Sequence, residues 1–137
     1  MTAQTTTLTD ANRTIIERLY SSMTERYDFE EFLSYLSDDL IVHEPLCLPY
    51  GGDYYGKDAL LNLVPSIAEI INLSTLRLDY VVADGDRVMA VIRAAGFESG
   101  TNLHLIEESR ILDGKVVEMR VYCFDHPSLS PRLPLNG

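Results

Sequence analysis

The sequence predicts an α+β fold in which three helices, interleaved with one strand, pack on one face of a curved, mostly antiparallel sheet. Three observations predict it. Apolar residues recur at helical spacing through the first half of the chain. The second half is a series of Val-, Leu- and Ile-rich segments punctuated by Asp84-Gly85, Ser99-Gly100 and Asp113-Gly114, each a hairpin signal. The chain has 137 residues and is 46% apolar, enough for one domain with a core of its own.

Residues 1–9 are polar and Thr-rich and read as a frayed tail. Asp10 is the expected N-cap of a first helix over about 11–26, on which Ile15, Ile16, Leu19, Tyr20 and Met23 share a face. Asp28 caps a second, over about 29–37, with Phe29, Phe32, Leu33 and Leu36 as its buried stripe. Asp38-Asp39 closes that helix, and Leu40–Glu44 reads as a strand. Residues 45–56 hold Pro45, Pro49, Gly51, Gly52 and Gly56, which is loop chemistry. A third helix over about 57–71 carries Leu60, Leu63, Val64, Ile67 and Ile70, with Pro65 expected to kink or split it. Four strands complete the domain as a meander: Leu73–Ala83, Arg87–Glu98, Asn102–Leu112 and Lys115–Asp125. One domain thus spans residues 10–126, and 127–137, with three prolines, reads as an irregular tail.

Composition excludes several functions. A net charge of −10 argues against nucleic acid and anionic membrane surfaces, which need clustered Lys and Arg. The chain has no long apolar run and no basic-then-apolar leader, so a cytoplasmic protein without a membrane span is expected. Cys47 and Cys123 are isolated and form no CxxC pair, which suits a reducing compartment. Three histidines without HxH or HExxH spacing, and the lack of a dinucleotide fingerprint, predict neither metal nor cofactor.

Strand alternation sorts the side chains. On the third meander strand Asn102, His104, Ile106, Glu108 and Arg110 share one face; Leu103, Leu105, Glu107, Ser109 and Ile111 share the other. On the fourth, Val117, Met119, Val121, Cys123 and Asp125 alternate with Val116, Glu118, Arg120, Tyr122 and Phe124. Faces mixed in this way predict a partly polar cavity on one side and a partner subunit on the other.

Three stretches, VHEP, YGGDYYGKDAL and ESRILDGKVVEMRVYCFD, together with the order of elements, resemble the nuclear transport factor 2-like superfamily over roughly residues 10–126. That superfamily includes ketosteroid isomerases, SnoaL-like polyketide cyclases and limonene-type epoxide hydrolases. The resemblance implies a cone-shaped fold around a pocket. The stretch YSSMTERYDFEEFLSYLSDDLIVHEP looks like the part of ketosteroid isomerases that carries a catalytic Tyr on the first helix and a general-base Asp at the end of the first strand. Tyr20 and Glu44, 24 residues apart, fall at those positions. The family's second oxyanion donor, an Asp on the third meander strand, falls at His104 when counted back from Arg110. Its bulky aromatic near the end of the last strand falls at Cys123. SnoaL-like cyclases use an Asp and a His in the same cavity, for which Asp125, His104 and His43 are the nearest equivalents.

The resemblance therefore implies a cofactor-independent acid/base enzyme. It would act on a small hydrophobic carbonyl compound, by isomerisation or aldol-type cyclisation. Glu44, Tyr20, His104 and Asp125 would be its catalytic residues, and Tyr50, Tyr54, Val64, Met89, Met119, Val121 and Cys123 its substrate-binding residues. Each residue also has a plainer reading. Glu44 is equally a solvated strand-end carboxylate. Tyr20 is a core tyrosine with its hydroxyl at the edge, and His104 a core histidine. The Met and aliphatic positions are ordinary core, and Tyr50, Tyr54 and Tyr55 are either a lid or a cover over the core edge. His43 precedes Glu44 and points to the opposite face of a regular strand. A non-catalytic small-molecule-binding or accessory protein and an epoxide hydrolase using Arg93 or Arg110 stay open as alternatives. Leu103, Leu105, Ile111, Tyr122 and Phe124 suggest a homodimer through the outer sheet face.

Overall fold

The turn chemistry of the meander is what shapes the sheet. Asp113 (φ 50°) and Gly114 (φ 78°) both take left-handed backbone, as a tight two-residue hairpin requires. The computed structural model describes residues 7–96 and 102–124. Its elements are α1 (Leu8–Thr24), α2 (Phe29–Ser34), β1 (Leu36–Glu44), β2 (Gly52–Tyr55), α3 (Lys57–Ile70), β3 (Ile71–Asp84), β4 (Arg87–Gly96), β5 (Asn102–Leu112) and β6 (Lys115–Cys123). The strands form one six-stranded sheet in the order β2-β1-β6-β5-β4-β3. Strand β1 runs parallel to β6, and all other neighbours are antiparallel. The helices cover one face. None of the helices among the described residues is long and apolar enough to cross a membrane.

The core lies between the helices and the inner sheet face. Ile16 and Leu19 of α1, Leu40 and Val42 of β1, Val88 and Ile92 of β4, and Leu103 and Ile111 of β5 are all buried there. The first turn of α1 is tied to the β3–β4 hairpin. The Gly85 amide donates to Thr9 Oγ1 (2.8 Å) and Asn12 Nδ2 donates to the Gly85 carbonyl (2.9 Å). Arg13 Nη1 donates to the Val81 carbonyl at 2.9 Å.

Several boundaries differ from the sequence reading. Helix α1 starts at Leu8, with Thr7 rather than Asp10 at the cap position, because the hairpin anchors its first turn. Helix α2 stops at Ser34, and the chain is already strand at Leu36, where it pairs with Val116. Asp38 and Asp39, expected to close a helix, lie exposed where the β1–β6 register shifts between Leu36 and Ile41. The expected 45–56 loop contains β2, which pairs with β1 through Ile41–Tyr55 to Glu44–Gly52. Helix α3 continues through Pro65, so it is not split.

The faces of β5 are cleaner than expected. Leu103, Leu105, Ser109 and Ile111 are buried and point inward with Glu107, while Asn102 and His104 are exposed on the other side. Leu103, Leu105 and Ile111 therefore do not belong to an outer patch; of the five residues proposed for one, only Tyr122 and Phe124 are exposed.

Candidate functional site

A cavity of about 500 Å³ opens between the helices and the inner face of the sheet. Its wall is mostly aliphatic: Leu19 and Met23 from α1, Val42 from β1, Leu60, Val64 and Ile67 from α3, Leu105 from β5 and Met119 from β6. Polar side chains interrupt that wall, among them Tyr20, Glu44 and Glu107, with Ser22, Thr24, Tyr27, Asp28 and Ser74 also on the lining. Its volume is in the range of small-molecule sites.

Glu44 comes inward because β1 alternates. Leu40, Val42 and Glu44 are buried, while Ile41 and His43 turn to the other side. Glu44 is only 9% exposed, and burial alone pushes its carboxyl up to about 7. Glu107 reaches the same cavity from the middle of β5, and burial pushes it to about 7 as well. Tyr20 is 2% exposed, and its hydroxyl is buried without a hydrogen-bond partner among the described residues. Buried hydroxyls are nearly always paired, so this orphan, on a residue that lines the cavity, is a candidate partner for a ligand.

The mouth of the cavity is also apolar. Tyr27 and Phe29 are 77% and 52% exposed, and Leu73 faces them from β3. Phe29 stacks on Phe32 with ring centroids 5.7 Å apart, linking rim to wall. Beside the cavity lies a polar groove of about 740 Å³, flanked by Arg18, Arg77, Glu17 and Glu25. The two share Tyr20, Thr24, Ser74 and Leu76. The groove is larger, but both carboxyls that burial raises lie in the cavity, so the cavity is the candidate site.

The residues singled out from sequence divide three ways. Tyr20, Glu44, Val64 and Met119 line the cavity. Tyr50, Tyr54, Val121 and Cys123 pack in or against the surrounding core. Tyr50 is close enough to Glu44 that burial, and then the Glu44 charge, hold its phenol above the ordinary range. Tyr54 donates from its hydroxyl to the Tyr50 carbonyl at 2.6 Å, and Tyr55 is exposed, so these tyrosines brace the loop rather than roof the cavity. His104 and Met89 lie on the outer sheet face, because strand parity turns them away. The inward acidic group of β5 is Glu107, three residues after the position counted from Arg110. Its signal was present in the sequence: a carboxylate embedded among Leu103, Leu105 and Ile111 at a period of two. Asp125 lies outside the described residues.

His43 is on the outer face, with both ring nitrogens engaged. Nδ1 lies 2.7 Å from Asp53 Oδ1, and Nε2 lies 2.7 Å from Glu118 Oε2. Arg110 and Arg120 flank Glu118 at 3.5 and 3.9 Å. Among the described residues no three His, Cys, Asp or Glu side chains converge as a metal site.

The fold and sequence both have relatives. A nuclear transport factor 2-like protein from Burkholderia xenovorans LB400 superimposes with a TM-score of 0.70 at 24% identity, covering 90% of this chain and 95% of that one. Bal32a, from a soil-derived mobile gene cassette, reaches 0.77 at 17% identity, covering 91% and 98%. TerC, co-crystallized with polyporic acid, reaches 0.72 at 20% identity, covering 88% and 96%. No curated protein matches the sequence. The SnoaL-like domain matches residues 16–119. With that match over most of its length, the chain belongs to the SnoaL-like domain family, and its fold is the one seen in the nuclear transport factor 2-like protein.

Proposed function

We propose that this protein is a cofactor-independent acid/base enzyme that enolises a small hydrophobic carbonyl compound, leading to isomerisation or aldol-type ring closure. One observation carries the reading: a tyrosine hydroxyl without a partner among the described residues and two carboxyls raised to about 7 belong to residues that line one apolar cavity. Near neutral pH each carboxyl is close to the midpoint of its own titration, so both a base and an acid are available in the cavity.

Glu44, as the carboxylate, takes the proton from the carbon α to the carbonyl. The electron pair moves onto the carbonyl oxygen, where the Tyr20 hydroxyl and protonated Glu107 donate hydrogen bonds to the enolate. In isomerisation the proton on Glu44 returns to a different carbon. In ring closure the enolate carbon bonds to a second carbonyl carbon of the same molecule, and the new alkoxide takes the proton from Glu44. Glu107 takes the donor role assigned from sequence to His104, which is turned outward. The aliphatic wall favours an apolar substrate body, and the adjoining polar groove favours one with a polar end.

The hydrolase alternative lacks support. Arg93 is paired with Asp79 at 2.8 Å and Arg110 lies 3.5 Å from Glu118, both outside the cavity. A homodimer through Tyr80, Val82, Met89 and Tyr122, which are exposed on the outer face, is the assembly we propose, and sizing in solution tests it.

Enolisation is tested without knowing the final product. Hydrophobic ketones are incubated with the protein in D₂O, and exchange of the α-protons is followed by NMR. The wild type is expected to exchange a ketone that fits the cavity, and Glu44→Gln to lose at least 10²-fold in rate while still binding it. Undiminished exchange in Glu44→Gln removes Glu44 as the base. Tight binding of ketones without any exchange by the wild type replaces the enzyme reading with that of a binding protein.

A further inference from the structure

We propose that His43, on the outer face of the sheet, is the positioning residue that holds Glu44 inside the cavity, by clipping the end of β1 to the strands on either side. The inference rests on the reading of Glu44 as the base for its catalytic meaning, and on geometry for the clip itself.

Glu44 occupies its place against an opposing force. Its carboxyl is desolvated, and neither a hydrogen bond nor a neighbouring charge among the described residues offsets that. It is also the last residue of its strand. The β1–β6 ladder ends at His43–Arg120, so Glu44 is paired on one side only, with Gly52 of β2. His43 is thus the last residue of β1 held from both sides. A rotation of the strand end about that point would bring Glu44 out to water.

The side chain of His43 opposes that rotation. Nδ1 reaches Asp53 on β2, and Nε2 reaches Glu118 on β6, each at 2.7 Å. Both acceptors are carboxylates, so both nitrogens donate and the ring is the imidazolium. The charged groups around it are Asp53 from β2, Glu118 and Arg120 from β6, and Arg110 from β5 through Glu118. The bond to Asp53, and then the bond to Glu118, hold the imidazolium above its ordinary range. With strand parity, a side chain fixed outward at 43 fixes position 44 inward.

The test is an NMR titration of the glutamate carboxyl carbons in the folded protein. In His43→Ala the midpoint of Glu44 is expected to fall by at least one pH unit, from about 7 toward its ordinary 4.5, while Glu107 stays in place. His43→Arg, which bridges two carboxylates and keeps the charge, is expected to preserve the Glu44 midpoint. A folded His43→Ala protein with an unmoved Glu44, or His43→Arg behaving like His43→Ala, overturns the proposal. Should His43→Ala not fold, Glu118→Ala removes one arm without touching β1, and a lowered or unmoved Glu44 midpoint decides the question in the same way. No substrate is used, so a protein that enolises nothing leaves this result standing.

Discussion

Tyr20 shows how far a single side chain can be read. Its helical spacing marked it for the interior, and it is among the most buried residues of the protein. The resemblance to ketosteroid isomerases implied a site shared with Glu44, and both residues line the cavity. An unpaired buried hydroxyl costs about 1–3 kcal/mol, whereas an oxyanion donor contributes about 10²–10³-fold in rate. Tyr20→Phe should therefore leave stability unchanged or raise it by about 1 kcal/mol in urea unfolding, while α-proton exchange falls by about 10²-fold. A loss of both would mark the hydroxyl as structural. Glu107 is harder to read than Tyr20. The parity of β5 groups it with Leu103, Leu105 and Ile111 and so marks it for the interior, but no local signal says that the interior opens into a cavity there.

At the scale of elements, the β1–β2 hairpin decides where the site is. The 45–51 turn is closed by Leu48 N–H donating to the Pro45 carbonyl at 3.1 Å and Gly51 N–H donating to the Leu48 carbonyl at 2.9 Å. It packs so tightly that a Cβ on Gly51 would lie 2.3 Å from the Pro45 oxygen and 2.6 Å from the Leu46 Cα. Backbone, not a flexible side chain, is in the way. Gly51→Ala should therefore spread the turn and cost about 2–3 kcal/mol, seen as a lower urea midpoint with an unchanged slope. Because Gly52 is the ladder partner of Glu44, the same variant should also lower the Glu44 titration midpoint. The glycines and prolines here announced a loop, and a four-residue edge strand inside it carries no hydrophobic run to announce itself.

For the whole molecule, the two cavity carboxyls set the pH dependence of stability. Each is raised from 4.5 to about 7 in the folded state, so the folded protein binds protons that the unfolded chain has released. Their stabilising contribution is complete below about pH 4.5 and is lost as pH rises through 7. For Glu44 the shift corresponds to about 3 kcal/mol. Glu118, lowered by its hydrogen bond to His43, works the other way and loses its contribution in acid. Glu44→Gln should thus melt higher than the wild type at pH 8 and with it at pH 4.5, by calorimetry at both values. Equal melting at pH 8 would mean that Glu44 ionises without a desolvation penalty.

Local chemistry determined most of the fold. Helical spacing and turn pairs such as Asp113-Gly114 are properties of a few consecutive residues, and they placed three helices and a four-stranded meander in order. The alternation of Val42, His43 and Glu44 likewise separates a buried carboxyl from an outward histidine by strand parity alone. Only the tertiary structure decided what depends on distant partners. The parallel pairing of β1 with β6 begins the strand at Leu36, and the β3–β4 hairpin anchors the helix start at Leu8. The pairing of β5 within the sheet brings Glu107, 63 residues after Glu44, into the same cavity, while strand parity keeps His104 out of it. A cavity is the space left between packed elements, and no stretch of sequence encodes that space alone.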